Sequence, residues 1–441
     1  MKKKYINFSP SVIAAMTLVI LVYCTNLPVR KNDFTSLIEL EDVVEISGQV
    51  TSNPSKTQSG KYYSVSVKIA STASRTESSS AAGTIQLLIP TSIVEAMYPG
   101  KLFSKVSSVG GKSVPIIENG LMFSGKVMFL AYDEITKGSK PLFILDTIDS
   151  FSWINNFAKI RAMSRLEFKR LLYAWGDAGG LLLALLSGSR EYTNRNLAEA
   201  FRLAGLSHVL ALSGMHLSLF AGLAFGFGNI FGGKKIGTYI SLVAVLIFVW
   251  FAGLSPSLFR AFLCTLITLV LEFSTLPGVS GNSEAVFRFI SPSYSSIRLL
   301  RVLSVAFIIH ICISPMDAYN AGFMLSYGAL IGIALFEYIT KPVFVRFKPQ
   351  WLASSLTASI GAQFITAPIT FSLFGTIMPI GIISSVVVSP LALGFLVIGF
   401  IFVCISIVLP FLLDPLGQIL AIFYNVIDMI VMWFAQFPPI S

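Results

Sequence analysis

Apolar runs of membrane length are the feature that most limits what this chain can fold into. A helix of about 18 or more apolar residues covers the roughly 30 Å of hydrocarbon in a bilayer. Such runs occupy 9–25, 206–231, 236–253, 257–276, 299–315, 320–339 and 351–373. The nearly charge-free stretch 377–434 exceeds one span, and its prolines divide it into two or three segments. Only 12% of the 441 residues are charged, so the sequence predicts a polytopic α-helical membrane protein.

The distribution of lysine and arginine predicts an orientation for these helices. Cytoplasmic loops of membrane proteins collect basic residues. If Lys2, Lys3 and Lys4 lie inside, the alternation of spans places the basic groups of 234–235, 288–301 and 341–348 inside as well. The opposite short connections carry only one charged residue, Asp317. We therefore expect residues 1–28 to form an uncleaved N-terminal membrane anchor and the segment after them to lie outside.

Residues 29–153 have the pattern of a small extracytoplasmic all-β domain. Apolar and polar residues alternate along 43–50, 62–69, 84–89 and 121–130, and serine- and glycine-rich turns separate these runs. Period-two alternation with β-branched residues predicts strands, and short strands of this kind suit a closed barrel such as the OB-fold. OB-folds often bind single-stranded nucleic acid through a basic face. Basic and acidic side chains are about equal in number here, so a scaffold or docking module remains the alternative.

Residues 154–204 are expected to form interfacial amphipathic helices. Basic residues, namely Lys159, Arg161, Arg165, Lys169 and Arg170, alternate with apolar and aromatic ones. A helix with one cationic and one apolar face is typical of a membrane interface. Its charge either attracts an anionic substrate to the outer mouth of the helical domain or only contacts lipid headgroups.

The residues most costly to place in lipid lie at the start of the domain 205–441. His208, Ser213 and His216 interrupt an otherwise apolar run, together with Gly205 and Gly214. Polar groups at membrane depth need an internal partner or a water-filled cavity, and they mark a path or a site. Arg260 begins a later apolar run, where it either meets a phosphate group or extends its charge to the interface.

Several motifs in this region resemble those of the ComEC family of DNA-uptake channel proteins. They occur in the family's order: Leu185–Arg190, Phe201–His216, Gly253–Ala261, Gly322–Ala329, and Gln363–Pro368 followed by Phe374-Gly375 and Ser384–Pro390. The likeness runs from about 155 to 410. Met324 stands where the family pattern usually has glutamine, and Ser384 stands where asparagine is common.

The resemblance implies an inner-membrane channel, in the bacterial cytoplasmic membrane, that passes single-stranded DNA into the cytoplasm during natural transformation. The metal-binding motifs of the metallo-β-lactamase-like domain found in many members are absent. We therefore expect a channel without enzymatic activity, metal or cofactor. The predicted DNA path consists of His208, Ser213, Gly214, His216, Arg260 and Ser326, and the predicted DNA entrance consists of Arg165, Lys169, Arg170 and Arg202.

The partners implied by the resemblance are single-stranded DNA, membrane lipids, a DNA receptor on the outer side, a cytoplasmic ATP-driven motor or single-strand-binding proteins, and a separate nuclease. The sequence contains no Gly-x-x-x-x-Gly-Lys-Ser/Thr loop of its own, so the energy for inward movement must come from elsewhere.

Two other functions remain open from the sequence. The chain could transport another anionic polymer or a lipid, because broken helices with polar centres are typical of transporters. An intramembrane serine hydrolase is the second alternative, with Ser213 as nucleophile and His310 as base.

Overall fold

A computed structural model describes residues 10–24, 40–57, 59–74, 82–96, 108–109, 112–113, 115–132, 140–212, 214–274, 296–344 and 350–440. The strands are β1 (Val43–Val50), β2 (Ser55–Lys56), β3 (Tyr62–Ser74), β4 (Thr84–Pro90), β5 (Ser108–Val109), β6 (Lys112–Ser113), β7 (Leu121–Tyr132) and β8 (Pro141–Trp153). The helices are α1 (Pro10–Cys24), α2 (Thr91–Glu95), α3 (Asn156–Tyr173), α4 (Gly176–Ser187), α5 (Arg195–Leu203), α6 (Gly214–Ala252), α7 (Pro256–Ser274), α8 (Ser296–Ile313), α9 (Ala321–Phe344), α10 (Gln350–Phe374), α11 (Gly381–Val408) and α12 (Leu413–Phe434), with 3₁₀ turns at Leu40–Asp42, Pro315–Tyr319 and Pro410–Leu412.

Five of the strands close into a small barrel. β1 pairs with both β3 and β7, β7 pairs with β8, β8 with β4, and β4 with β3. Of these described pairs, β4–β8 is parallel and the others are antiparallel. Alternate residues point inward, so Ile46, Val67, Ile85 and Leu87 are fully buried in one apolar core. The predicted small barrel is therefore confirmed.

The chain leaves the barrel through α3, which is tied to it. Asn155 caps α3 by accepting a hydrogen bond from the N–H of Ala158 at 2.7 Å, and Leu166 packs into the barrel core. α4 follows and is buried on every side from Ala178 to Ser187. A helix that is apolar all round belongs in a protein core, so the expectation of an interfacial helix is wrong for α4.

The helical domain surrounds α4. The largest apolar cluster joins α4 and α5 to α11 and α12, with Leu182, Phe201, Phe395 and Ile427 all fully buried or nearly so. Gly399 gives the room for this packing, because a Cβ atom there would lie 2.6 Å from Leu182. A second cluster joins α1 to α7, α8 and α9.

The long helix α6 is a hairpin of two helical halves. Gly232 and Gly233 have non-helical backbone angles, and Gly233 has a φ of 68°, which a residue with a side chain rarely adopts. Ser241 donates a hydrogen bond to the carbonyl of Ala221 at 2.9 Å, so the two halves pack antiparallel. This break separates the two apolar runs that the sequence predicted here.

In the described ranges, four helical segments are long and apolar enough to cross a membrane: Gly214–Ala252, Gln350–Phe374, Gly381–Val408 and Pro410–Phe434. Shorter apolar helices accompany them at Val12–Tyr23, Gly176–Ser187, Pro256–Thr268, Leu299–Ile313 and Ala321–Glu337. The protein is thus mostly helical, with helices of membrane length beside one small barrel.

The prediction of a helix beginning at 206 is wrong, because α6 begins only at Gly214. Gly205 has a φ of 72° and ends α5, and the N–H of Leu206 bonds back to the carbonyl of Phe201 at 2.7 Å. The chain then continues in turns as far as Leu212. His208 therefore lies in a non-helical connection, and the buried side chains of this connection include those of Leu206, Val209 and Leu210.

Candidate functional site at the start of α6 and α7

Arg260 lies one turn into α7 and is surrounded by protein. Its side chain is only 6% exposed. Nη1 donates a hydrogen bond to the carbonyl oxygen of Ser326 in α9, and the guanidinium carbon lies 5.8 Å from the centre of the Tyr327 ring. Nε is buried and has no hydrogen-bond partner within the part of the chain that the structure describes. A buried arginine with an unused donor is uncommon in proteins.

The first residue of α6 approaches the same guanidinium. A Cβ atom placed on Gly214 would lie 3.9 Å from Nη2 of Arg260 and 3.5 Å from the Cβ atom of Ala261. Ser257 in α7 donates a hydrogen bond to the carbonyl of Leu212 at 2.7 Å, which holds the chain just before α6 against α7. Three of the positions predicted for the DNA path, Gly214, Arg260 and Ser326, are therefore brought together.

The other predicted path residues take different places. His216 is buried within α6. His208 is exposed, yet the surrounding protein desolvates the ring and lowers the pKa of His208, while a hydrogen bond with the Gly205 backbone opposes this effect. Ser213 lies outside the described residues, so its role as path residue or nucleophile stays a prediction.

His310 belongs to a polar network inside the helical domain. Its Nδ1 atom lies 3.3 Å from the hydroxyl of Tyr327, and its Nε2 atom lies 3.2 Å from a carboxylate oxygen of Asp317. Phe259 and Phe323 contact the ring edge to face, each with centroids 4.8 Å apart. His310 thus joins three elements and stands beside the aromatic ring that supports Arg260.

The predicted entrance residues Arg165 and Lys169 are buried in an ionic cluster that we call the clamp, formed by Glu118, Arg165, Lys169 and Glu191. Glu118 precedes β7, and its carboxylate accepts hydrogen bonds from Nε of Arg165 at 3.0 Å and from Nζ of Lys169 at 2.6 Å. Lys169 also lies 3.0 Å from Glu191, in the connection between α4 and α5. Nη1 of Arg165 donates to the carbonyl of Phe251 at 3.0 Å. The clamp therefore joins the barrel, α3 and the helical domain.

The two basic residues of the clamp lower the pKa of the Glu118 carboxyl group. Burial raises the pKa of Glu118, but the charges and hydrogen bonds of Arg165 and Lys169 outweigh burial and lower it to about 2. Both basic groups thus already have an anionic partner. Their role as a DNA entrance stays a prediction, and the contacts give them a structural role that the sequence pattern did not indicate.

The remaining entrance residues differ in exposure. Arg170 is buried and lies 2.8 Å from Glu167 one turn earlier. Arg202 is exposed and forms a bidentate contact with Glu199, with a shortest distance of 2.6 Å. Hydrogen bonds to that carboxylate raise the pKa of Arg202. Of the four predicted entrance residues, Arg202 is the one whose side chain is exposed.

The motif segment Phe201–His216 packs against the start of α11, which carries the motif segment Ser384–Pro390. A Cβ atom on Gly205 would lie 2.8 Å from Cα of Gly381, at the start of α11. Ser384 donates a hydrogen bond to the carbonyl of Ala204 at 2.7 Å, and Gln363 donates one to the carbonyl of Met378 at 3.1 Å. Ser384, where the family often has asparagine, therefore makes a structural contact here.

Sequence reasoning missed Glu118, Glu191 and Tyr327 as residues of these sites. Glu118 is a single carboxylate in a loop, and nothing in its neighbourhood indicates that two basic residues of α3 meet it. Tyr327 stands in a quoted motif, but its contact with Arg260 depends on how α7 and α9 pack. Within the described ranges, no group of three or more histidine, cysteine, aspartate or glutamate residues is placed to hold a metal ion.

Comparison with known proteins bears on this geometry. A family model described as "Competence protein" matches residues 185–440. Recombination protein 2 of Haemophilus influenzae is 23% identical over 272 residues, which are 57% of this chain and 32% of that protein. ComE operon protein 3 of Bacillus subtilis is 24% identical over 187 residues, which are 42% of this chain and 22% of that protein.

The matched regions cover about a third of the first relative and about a fifth of the second. No solved structure matches the chain. The family model covers more than half of the sequence, from the last turn of α4 through α12, and includes Gly214, Arg260 and Ser326. The chain therefore belongs to the ComEC family of competence proteins.

Proposed function

We propose that this protein is a channel through which single-stranded DNA crosses the inner membrane into the cytoplasm during natural transformation. Membership of a competence family supports a role in DNA uptake. The observation that carries the more specific proposal is the buried Arg260, held among apolar helices beside the start of α6 and without a carboxylate partner in the described ion pairs. A buried cation at this position suits an anionic polymer.

The channel itself supplies a path and no chemical step. We expect the protein to have no enzymatic activity, so degradation of the second strand belongs to a separate nuclease. A receptor on the outer side delivers the DNA, and an ATP-driven motor or single-strand-binding proteins on the cytoplasmic side supply the inward force. Purified protein with magnesium, manganese or zinc should leave labelled duplex DNA intact, and metal-dependent cleavage that a point mutation removes would contradict this part.

Uptake of fluorescent DNA in a deletion strain tests the central claim. Cells without the protein should still bind DNA at the surface, but labelled strands should not reach the cytoplasm or yield transformants. The parent gene and a Lys56→Gln variant, altered in an exposed ion pair of the barrel, should both restore uptake. Normal transformation in the deletion strain would refute the proposal, and loss of a lipid or another polymer from the membrane would favour the transporter alternative.

Chemical labelling tests the multi-pass arrangement with an outer barrel. A cysteine introduced at Ser55 should react with an impermeant maleimide in intact spheroplasts, because the distribution of basic residues places the barrel outside. A cysteine introduced at Ser295 should react only after the membrane is opened. The reverse labelling would place the barrel in the cytoplasm and would contradict the proposed direction of transport.

A further inference from the structure

The Arg260 guanidinium has donors that the described residues do not use. An arginine side chain carries five N–H donors and no acceptor. Here Nη1 bonds to the carbonyl of Ser326, and the face of the guanidinium lies over the Tyr327 ring. Nε is buried without a partner in the described part of the chain. An uncompensated buried cation is strongly unfavourable, so this geometry calls for an anion.

The start of α6 adds a second source of positive potential beside the Arg260 guanidinium. The first N–H groups of a helix have no partner within the helix, and this end carries the positive pole of the helix dipole. Gly214 and Met215 are half-buried, so this end is accessible. The hydroxyl of Ser218 donates a hydrogen bond to the carbonyl of Gly214 at 2.6 Å.

The two positive features face one another. Ser326 holds one edge of the guanidinium and Tyr327 covers a face, while Nη2 lies toward Gly214, 3.9 Å from where a Cβ atom of that residue would stand. The end of a helix would not be a site by itself. Here an arginine that is more than nine-tenths buried points at it.

We propose that Arg260 and the first turn of α6 form one anion site that holds a phosphodiester group. A phosphodiester carries one negative charge and two free oxygens. One oxygen accepts from the guanidinium, as in other charge-assisted pairs. The other accepts from the N–H groups of Gly214 and Met215 at the helix start, a position that binds phosphate in many proteins. Glycine at 214 keeps the space between the two groups open. The choice of DNA as the source of the phosphodiester rests on the proposed function, whereas the site itself does not.

Binding of a short fluorescent oligothymidylate to the full chain tests the site. The protein is purified in maltoside detergent, which contains no phosphate, and the same strand with a neutral methylphosphonate backbone serves as the uncharged probe. Arg260→Gln should weaken binding of the charged strand by about tenfold or more, since charge-assisted hydrogen bonds are among the strongest in proteins. Arg260→Lys should recover only part of the affinity, because lysine lacks the planar fork.

Gly214→Ala is the sharper variant. The added methyl group makes only ordinary contacts, at 3.5 Å and 3.9 Å, and alanine favours helix formation, so the fold should be kept. The methyl group nevertheless fills the space between the helix start and Nη2, and binding should fall without any change of charge. Lys234→Gln, just after the glycine break of α6, removes one positive charge from an exposed side chain and should leave binding unchanged.

The outcomes separate the site from the proposed function. Weaker binding of the charged strand in Arg260→Gln and Gly214→Ala, with unchanged binding in Lys234→Gln, supports the site. Equal binding by all variants overturns it, as does equal binding of the charged and neutral strands. If the charged strand fails to bind the parent protein but glycerophosphoglycerol binds and is lost in the same variants, the site stands with a lipid headgroup as its source, and the proposed function fails.

Discussion

Among the described residues, the buried basic side chains of the clamp and the buried Arg260 have different surroundings. In the clamp, Arg165 and Lys169 meet the carboxylates of Glu118 and Glu191. At the start of α7, Arg260 meets a carbonyl oxygen and an aromatic ring, and it takes part in none of the ion pairs formed by the described residues.

The two sites differ in whether the described protein itself supplies an anion that compensates the buried positive charge. Removing a cation from water is costly, and only an anion with good hydrogen-bond geometry offsets the cost. The clamp contains its anions, so its charges serve to hold the barrel against the helical domain. Arg260 has only neutral partners within the described chain, so its charge remains available to an anionic ligand. Residues of the same chemical type thus meet carboxylates of the protein in one place and neutral groups in the other.

The largest expected effect comes from breaking the clamp. Glu118→Gln leaves Arg165 without a carboxylate, and loss of one partner from a buried ion pair lowers the free energy of unfolding by about 3 to 5 kcal/mol. Thermal unfolding of the purified protein and its amount in membranes measure the loss. Glu199→Gln is the matched control, because the same change at an exposed pair should alter stability by less than about 1 kcal/mol. Equal effects of the two changes would mean that the buried clamp stabilises the fold no more than the exposed Glu199–Arg202 pair does.

Acid should also reduce the contribution of the clamp to the free energy of unfolding. The pKa of Glu118 lies at about 2 in the folded protein against an ordinary value of 4.5, so its contribution is complete above pH 4.5 and is lost as the pH falls toward 2. The shift corresponds to about 3 kcal/mol. The stability difference between parent and Glu118→Gln should therefore shrink below pH 4.5. A difference that persists undiminished at pH 2 would show that the carboxylate charge is not what stabilises the clamp.

Arg260→Gln should affect uptake far more than stability. A charge-assisted hydrogen bond contributes about 1.5 to 3 kcal/mol, and about 1.4 kcal/mol corresponds to a tenfold change. DNA uptake should fall by about tenfold or more, while the protein reaches the membrane in near-normal amounts. Lys234→Gln controls for the loss of one positive charge. If Arg260→Gln instead reduced protein levels as much as Glu118→Gln does, Arg260 would be a structural residue like those of the clamp.

The smallest effect is expected at Arg202, the exposed residue of the predicted entrance. Arg202→Gln should change the free energy of unfolding by less than about 1 kcal/mol, because exposed ion pairs contribute little. Contacts between exposed basic residues and phosphates depend on salt and not on base sequence. A modest decrease in uptake that disappears at high ionic strength is therefore expected. Unchanged uptake at every ionic strength would remove Arg202 from the entrance.

Local sequence was sufficient for most elements because their signals are local. Apolar runs bounded by charges and prolines predicted α1, α7, α8, α9 and α10 to within a few residues, apart from the C-terminal end of α9. Alternation of apolar and polar residues predicted the barrel strands. The error at 206–213 has a local cause as well: the run is apolar, but Gly205 adopts a positive φ and the chain turns before α6 begins.

The sequence by itself determined the helices, the barrel, the family and the polar positions that interrupt apolar runs. Tertiary structure decided which buried cations have a carboxylate partner among the described residues. Glu118 is 47 residues from Arg165 along the chain, and Ser326 is 66 residues from Arg260. Periodicity reports which face of one element is apolar, whereas the charge that compensates a buried cation comes from another element. Only the packing of α3 on the barrel and of α7 against α6 and α9 therefore distinguishes the clamp from the anion site.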